Sequence, residues 1–254
     1  MIGTLQCWLN QQGLSDIDES LFILDISYKP IKYNTRSFTI AGKHGSGIAK
    51  NAAQYGSVDI TIEIHEYDIR RRQHILQQVA AWALGGGEFT SNDRPGQRLI
   101  VECISPPTLG SAMNWTDEIK FTLVANRLPF WEGQEETKEI TGASVTTTMV
   151  IPGVAEQAYV DADIVTGGTV TAFTIISGDT TIALAGLEIA EGKTIYIYHD
   201  EMNILQIACD GNSLLPYRLP VSSDDLRAEN GEAEFTFWAT ASCTVTIKAR
   251  PLFV

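Results

Sequence analysis

The sequence is poor in the features that mark secreted, membrane-spanning and metal-binding proteins. Its 254 residues include only four cysteines, and no two of them stand in a Cys-x-x-Cys pair. Scattered cysteines argue against a zinc site and a disulfide framework, and they fit folding in a reducing cytoplasm. No apolar run approaches the ~20 residues that span a bilayer. The first residues also lack the basic start and apolar core of a signal peptide, so we expect neither secretion nor membrane insertion.

Basic residues are scarce too, with 18 Lys and Arg against 31 Asp and Glu and a net charge of −13. The imbalance is larger in the second half, where residues 140–254 hold 5 basic and 14 acidic side chains. Binding of nucleic acid needs clustered Lys and Arg that neutralise phosphates. The one such cluster, Arg70–Arg72, is better explained as a solvated or interface face of a helix. The composition therefore argues against a DNA-binding protein.

Motifs for catalysis, cofactor binding and metal binding are also missing. The four histidines lack metal-ligand spacing, and no Gly-x-Ser-x-Gly nucleophile elbow is present. Gly85–Gly87 follows a predicted helix, whereas a phosphate-binding loop opens one. Asp161 and Asp163 lie on a predicted strand without the loop that holds a calcium ion. We predict no enzyme, no cofactor and no metal site. The alternative is a hydrolase that uses histidine and carboxylates in a shared pocket.

The clearest secondary-structure signals lie in the first half of the chain. One strand is predicted by apolar residues that alternate with polar ones: Val58, Ile60, Ile62 and Ile64. The apolar period then changes to 3.6, which predicts one amphipathic helix over residues 68–84. Asp68 can cap its start and Gly85 can end it. Trp82 is expected on the buried face of this helix, against Ile60 and Ile62.

A glycine-rich connection, Ala41–Gly56, joins a predicted strand at Arg36–Ile40 to the strand at 58–64. Its 16 residues far exceed the usual length of about 4–6. A projecting arm of this kind cannot bury its own apolar groups, so we expect it to lie on a neighbouring copy of the chain. The alternative is a mobile loop. The expected interface residues are Gly42, Lys43, His44, Gly45, Gly47, Ile48 and Tyr55.

Further strands are predicted on both sides of a charged linker at residues 134–142. Before it, strands are expected at 21–28, 98–105 and 118–126, the first well buried and the last two forming a hairpin. Beyond it, helical periodicity vanishes, and eight short strands separated by turn residues indicate an all-β sandwich or jelly roll. These eight strands are predicted at 145–151, 159–165, 169–177, 180–184, 194–198, 204–209, 234–239 and 244–250.

Aromatic residues enrich this second domain, and most of them are expected in its core. Three of them are candidates for stacking on a sugar if they are exposed on a concave face: Tyr196, Tyr198 and Trp238. A carbohydrate-binding β-sandwich module is therefore the alternative function.

The order of these elements resembles the distal tail (Dit) proteins of phages with long, non-contractile tails. The ordered set consists of TIAGKHGSG after a strand, the strand VDITIEIH, one helix, the strands RLIVECIS and EIKFTLVAN, and LPFWEG. Gly42–Gly47 looks like the arm motif of that family, and Pro129–Gly133 looks like the aromatic sequence that closes its first domain. The resemblance covers Leu21–Gly133, whereas the second domain is matched by its strand pattern.

The resemblance implies a mainly β protein with one helix. Residues 1–133 would form a ring-forming N-terminal α+β domain that consists of β-sheets, a single helix at about 68–84 and a projecting hairpin arm at about 41–56. Residues 143–254 would form an all-β, galectin-like or jelly-roll sandwich.

The implied function is that of a structural virion protein at the tail tip of a siphophage, made in the cytoplasm of the bacterial host. A homohexameric ring would join the tail tube protein to the baseplate hub, or tail-associated protein. Receptor-binding proteins for host attachment would dock on it. DNA would pass through its channel without specific binding, which suits an acidic chain because negative walls repel DNA.

Overall fold

The computed structural model describes residues 5–29, 33–39, 46–53, 56–107, 118–125, 130–154, 157–200 and 203–253. Contacts divide the chain into two compact units. Unit 1 is Met1–Trp131 with Val254, and unit 2 is Glu132–Phe253.

Unit 1 is built on an antiparallel sheet and one α-helix. Its elements are β1 (Cys7–Leu9), β2 (Gln12–Gly13), a 3-10 turn (Leu14–Asp16), β3 (Leu21–Lys29), β4 (Tyr33–Thr39), β5 (Ser46–Ala53), β6 (Gly56–Ile64), α1 (Ile69–Leu84), β7 (Gly87–Ser91), β8 (Leu99–Ser105), β9 (Glu118–Ala125) and the start of β10 (Trp131–Glu132). Seven strands form the sheet in the order β2-β1-β7-β8-β9-β6-β3. The predicted hairpin of β8 and β9 is confirmed by their antiparallel pairing.

Strand β6 and helix α1 form the core of unit 1 as the periodicities predict. All four alternating apolar residues of β6 are fully buried: Val58, Ile60, Ile62 and Ile64. The helix begins where Asp68 accepts a 2.9 Å hydrogen bond from the Arg70 amide, and it ends before Gly85. Trp82 is buried and meets the ring of Phe121 edge-on at 6.4 Å. Phe121 lies directly opposite Ile60, so the predicted phase of the helix is confirmed.

Strand β3 is confirmed, but its predicted burial is wrong. Phe22 and Leu24 are each 44% exposed. These side chains are exposed because β3 is the edge strand of the sheet and its register shifts between Ile23 and Asp25. A nearly continuous apolar run indicates a strand with two covered faces only when neighbouring elements exist to cover them.

Unit 2 consists almost entirely of strands. Apart from the end of β10 and a 3-10 turn (Leu215–Tyr217), its elements are β11 (Glu136–Ile151), β12 (Ala158–Thr166), β13 (Val170–Ser177), β14 (Thr180–Ile189), β15 (Thr194–His199), β16 (Leu205–Cys209), β17 (Asn212–Ser213), β18 (Arg227–Ala228), β19 (Gly231–Arg250) and β20 (Leu252–Phe253). All eight strands predicted here are present, although the last two are halves of one continuous strand, β19.

The long strands β11 and β19 connect the two layers of this unit. They pair with each other along nearly their whole length, with a bulge between Gly142 and Ser144. On its other side, β19 pairs first with β13 through Phe235–Ala239 and then with β12 through Cys243–Arg250. One continuous apolar cluster fills the space between the layers, so the predicted sandwich is confirmed.

The predicted linker at 134–142 is wrong in its conformation. Residues 136–142 belong to β11 and pair with the second half of β19. Charged residues hid the strand, because Glu136, Lys138 and Glu139 lie along a solvated part of it, where polar side chains carry no burial cost.

Candidate assembly and docking surfaces

The arm predicted from the sequence is a two-stranded ribbon. Strands β4 and β5 pair antiparallel, with Thr39 opposite Ser46 and Tyr33 opposite Ala53. The predicted open connection at Ala41–Gly56 is therefore corrected over Ser46–Ala53, which is strand. Its composition concealed the strand, because Gly, Asn, Lys and Ala are all depleted in strands and Ile48 is its only large apolar residue.

Only part of the predicted interface lies within the described residues. Gly47 and Ile48 stand in β5, opposite Phe38 and Ser37. The other predicted interface residues lie outside the described residues: Gly42, Lys43, His44, Gly45 and Tyr55.

The ribbon continues the edge hairpin of the unit 1 sheet. Strands β3 and β6 pair up to Lys29 and Ser57, and β4 and β5 resume the same antiparallel arrangement from Tyr33 and Ala53. Within the part of the chain that the structure describes, β4 and β5 pair only with each other. An isolated two-stranded ribbon is marginally stable in water. The stability of the ribbon would therefore increase if a partner surface covered it.

The three aromatic candidates for sugar binding are all exposed, but they do not form one site. Tyr196 and Tyr198 are 46% and 42% exposed and lie on the outer face of β15. Trp238 is 45% exposed on the outer face of the first half of β19, between Ser144 and Thr174. The first half of β19 belongs to one layer and β15 to the other. The structure thus separates Trp238 from the tyrosine pair.

A cluster of charged residues is the most elaborate polar arrangement in unit 2. His199 has a fully buried side chain, and both of its ring nitrogens contact carboxylates. Its Nδ1 lies 2.7 Å from Asp161 Oδ1, and its Nε2 contacts Asp225 Oδ1. Arg227 donates to Asp225 at 2.7 Å, and Arg250 contacts Asp161 at 3.3 Å. The cluster thereby ties β12, β15, β18 and β19 together.

The electrostatics of the cluster favour a charged imidazole. Burial by itself lowers the pKa of His199, but hydrogen bonds and negative charge from Asp161 and Asp225 outweigh it and raise that pKa above the usual 6.5. Burial raises the pKa of Asp225, and the bonds from His199 and Arg227 outweigh it and lower that pKa. Since carboxylates occupy both ring nitrogens, His199 has no free nitrogen to activate a nucleophile. The arrangement is that of a buried structural ion cluster.

Sequence reasoning treated His199 as an ordinary structural residue and did not find its partners. Asp161 and Asp225 are 38 and 26 residues away along the chain, so no local motif links them to it. The neighbouring acid, Asp163, which was weighed as a cation ligand, instead contacts Lys248. Among the described residues, no group of three or more His, Cys, Asp or Glu side chains has the geometry to hold a metal ion. No described helix is long and apolar enough to cross a membrane.

The elements described above define a two-unit β protein: a sheet with one helix and an extended ribbon, followed by a sandwich. No family model and no curated protein matches the sequence. Solved structures do match, and they are phage tail components. The Dit protein (gp 19.1) of phage SPP1, described as a paradigm of the hub adsorption apparatus in phages that infect Gram-positive bacteria, aligns over 98% of this chain and 99% of its own, with a TM-score of 0.76 and 14% identity.

A second match lies in the baseplate of phage P2 in its activated conformation with Ca. It covers 99% of this chain and 98% of its own chain, with a TM-score of 0.50 and 9% identity. At these identities the matches show the fold. The chain therefore has the Dit-like fold that its order of motifs predicts.

Proposed function

We propose that this protein is a structural component of a phage tail tip, and that six copies form a ring between the tail tube and the baseplate hub. The observation that carries the proposal is full-length similarity to the SPP1 Dit protein, combined with a ribbon that has no partner strand among the described residues. The protein acts in assembly and has no catalytic role.

The ribbon is the element that joins neighbouring subunits. Its strands of 7 and 8 residues pair with no further strand among the described residues, and unpaired strand edges pair readily with another chain. In a closed ring, each copy gives its ribbon to one neighbour and receives a ribbon from the other, so no ribbon stays uncovered. The proposed contact consists of the interface residues predicted from the sequence: Gly42, Lys43, His44, Gly45, Gly47, Ile48 and Tyr55.

The charge of unit 1 suits a conduit for DNA. Residues 1–131 contain 12 Lys and Arg and 13 Asp and Glu, so their net charge is −1. A ring of this unit offers phosphates no net attraction, and DNA slides through it without being held.

The test is the mass of the assembled protein with and without the ribbon. Light scattering should give a hexamer for the full chain, alone or with its tail tube and hub partners. Replacement of residues 33–53 by a Gly-Ser turn should give a smaller species that still folds. Val221→Ala serves as the control, because it alters an exposed residue of unit 2. A ribbon-deleted protein that forms the same particle and enters virions normally refutes the proposal.

Carbohydrate binding by unit 2 is the second candidate. It is supported by Tyr196 and Tyr198, which lie two residues apart on one exposed face, with Gln206 opposite Tyr198. Aromatic rings of this kind stack on the apolar faces of sugars and an amide supplies hydrogen bonds. Binding on a glycan array that is lost in Tyr196→Ala and kept in Trp238→Ala supports this role. Absence of any glycan ligand removes it.

A further inference from the structure

The two long strands of unit 2 differ in what lies beside them. β19 has neighbours on both sides, whereas β11 pairs with β19 and with no other strand in the described residues. One side of this 16-residue strand thus has no strand partner among the described residues. An unpaired edge of this length is a template for an added strand, and soluble proteins normally protect such edges.

Two other edges of unit 2, at β14 and β16, are protected. β14 is covered by the segment after the 3-10 turn, where the amides of Leu219 and Ser223 donate to the carbonyls of Ala183 and Thr181. β16 is followed by the two-residue strand β17, and the Leu214 amide bonds the Ile207 carbonyl beyond it. Protection by a covering loop and by a short edge strand are both familiar devices.

The two halves of β11 differ in their own protection. Residues 136–139 read Glu-Thr-Lys-Glu, and charged side chains of this kind discourage pairing. Residues 144–151, beyond the bulge, contain no charged residue and no proline, and six of the eight are β-branched. This composition favours pairing with another strand. The second half of β11 therefore has no partner strand on its other side among the described residues and no charged residue or proline that would discourage one.

The surroundings of this edge indicate the chemistry of its partner. Unit 2 is strongly acidic, with 18 Asp and Glu against 6 Lys and Arg in residues 132–253. Glu232 and Glu234 are exposed on β19 directly opposite Val150 and Thr148 of the edge. A strand added to β11 would lie about 4.8 Å from it and about twice that from β19. Long basic side chains on the added strand can reach Glu234 across Thr148 and Glu232 across Val150.

We propose that the edge of β11 at residues 144–151 binds an extended, basic, β-branched segment of a partner protein as an additional strand. The inference rests on the proposed function, in which unit 2 is a docking platform, and it specifies where and how a partner docks. Backbone hydrogen bonds supply the affinity of such an added strand, and alternate side chains supply its specificity. Trp238, opposite Ser144 on the same outer face, is placed to receive a basic side chain over its ring.

The probe is an end-blocked eight-residue peptide in which Lys and Val alternate, paired with a control peptide that has Glu in place of Lys. Amide exchange of the full-length protein, followed by NMR, reports on those amides of residues 144–151 that face away from β19. The Lys peptide should slow exchange of amides in this segment, and the Glu peptide should not. Thr148→Lys should weaken the effect about tenfold or more, because like charges meet at the edge. This substitution keeps the fold, because the new lysine faces Glu234.

Thr137→Lys is the matched control, since it makes the same change on the same exposed strand within the charged half. It should leave the effect of the peptide unchanged. Several results overturn the proposal: no slowing at millimolar Lys peptide, equal slowing by the Glu peptide, or slow exchange of this edge in the dilute protein alone. Protection that rises with protein concentration and needs no peptide also overturns it, since the occupant is then a second copy. Failure of ring assembly is a separate result, because it is read from particle mass in the absence of peptide.

Discussion

Replacement of Trp82 by alanine is expected to destabilise unit 1 by about 4 kcal/mol. The ring is 6% exposed and contacts Phe121 edge-on. A buried tryptophan covers roughly 150–250 Å², and at about 25 cal/mol per Å² this area corresponds to roughly 4–6 kcal/mol. Because that area is an upper bound for burial on folding, the usual range for such changes, about 3–5 kcal/mol, is the better guide.

The polar end of Trp82 adds less than its ring. Its Nε1 donates a 2.9 Å hydrogen bond to the Gln12 carbonyl. That carbonyl belongs to a residue lining an open groove, beside Asp16 and Gln78, so water can replace the lost donor. The net loss from this bond is therefore about 0.5–1.5 kcal/mol. Trp82→Phe, which keeps an aromatic ring, should cost about 1–2 kcal/mol.

Urea unfolding monitored by a signal from unit 1 measures these differences. Residue-resolved amide exchange assigns the loss to unit 1, since a chain with two units need not unfold in a single step. Trp238→Ala is the control and should change the stability of unit 1 by less than about 0.5 kcal/mol, because Trp238 belongs to unit 2. A loss below about 1 kcal/mol for Trp82→Ala, or an equal loss in the control, refutes the packing argument.

The remaining predictions concern charge and backbone conformation. Protonated His199 stabilises unit 2, and because its pKa is raised, this contribution is complete below pH 6.5 and is lost as the pH rises through the raised pKa. His199→Gln should abolish this pH dependence of stability in urea titrations. An unchanged pH profile in the variant contradicts the prediction. Asp59 is buried and lies 2.8 Å from the Lys29 ammonium group. Asp59→Ala should therefore lower the stability of unit 1 by about 1.5–3 kcal/mol in urea unfolding. An unchanged stability shows that the pair is unimportant. Gly87 has φ +111°, and a Cβ atom added there would lie 2.2 Å from the Asn10 side chain, whereas Gly96 has φ +75° and open space around it. Calorimetry should therefore show a larger loss of stability for Gly87→Ala than for Gly96→Ala. Equal losses of stability contradict the predicted clash.

Local periodicity was sufficient for the elements whose partners are close in sequence. The β6 alternation and the α1 period each state which face is buried, and Asp68 marks the helix start, so strand, helix and the position of Trp82 were predicted correctly. The two halves of β19 were predicted as separate strands, because the polar residues around Thr240–Ser242 resemble a turn. They continue as one strand because β11 pairs on both sides of that stretch.

The parts that sequence did not predict depend on distant partners. The ribbon strand β5 is stabilised by pairing with β4, and Ile48 is its only large apolar residue, so it shows no apolar alternation of its own. The cluster around His199 joins residues from four strands, and nothing near any one of them identifies the others. Exposure of Phe22 depends on the place of β3 at the sheet edge, which is a property of topology rather than of local composition.

The shared strand β19 has a consequence for how unit 2 loses its structure. Since the same backbone contributes residues 235–239 to one layer and 243–250 to the other, neither layer can detach without breaking the continuity of its neighbour. We expect the sandwich to unfold in a single cooperative transition. A mechanical force applied to either end of β19 should act on both layers simultaneously, in shear.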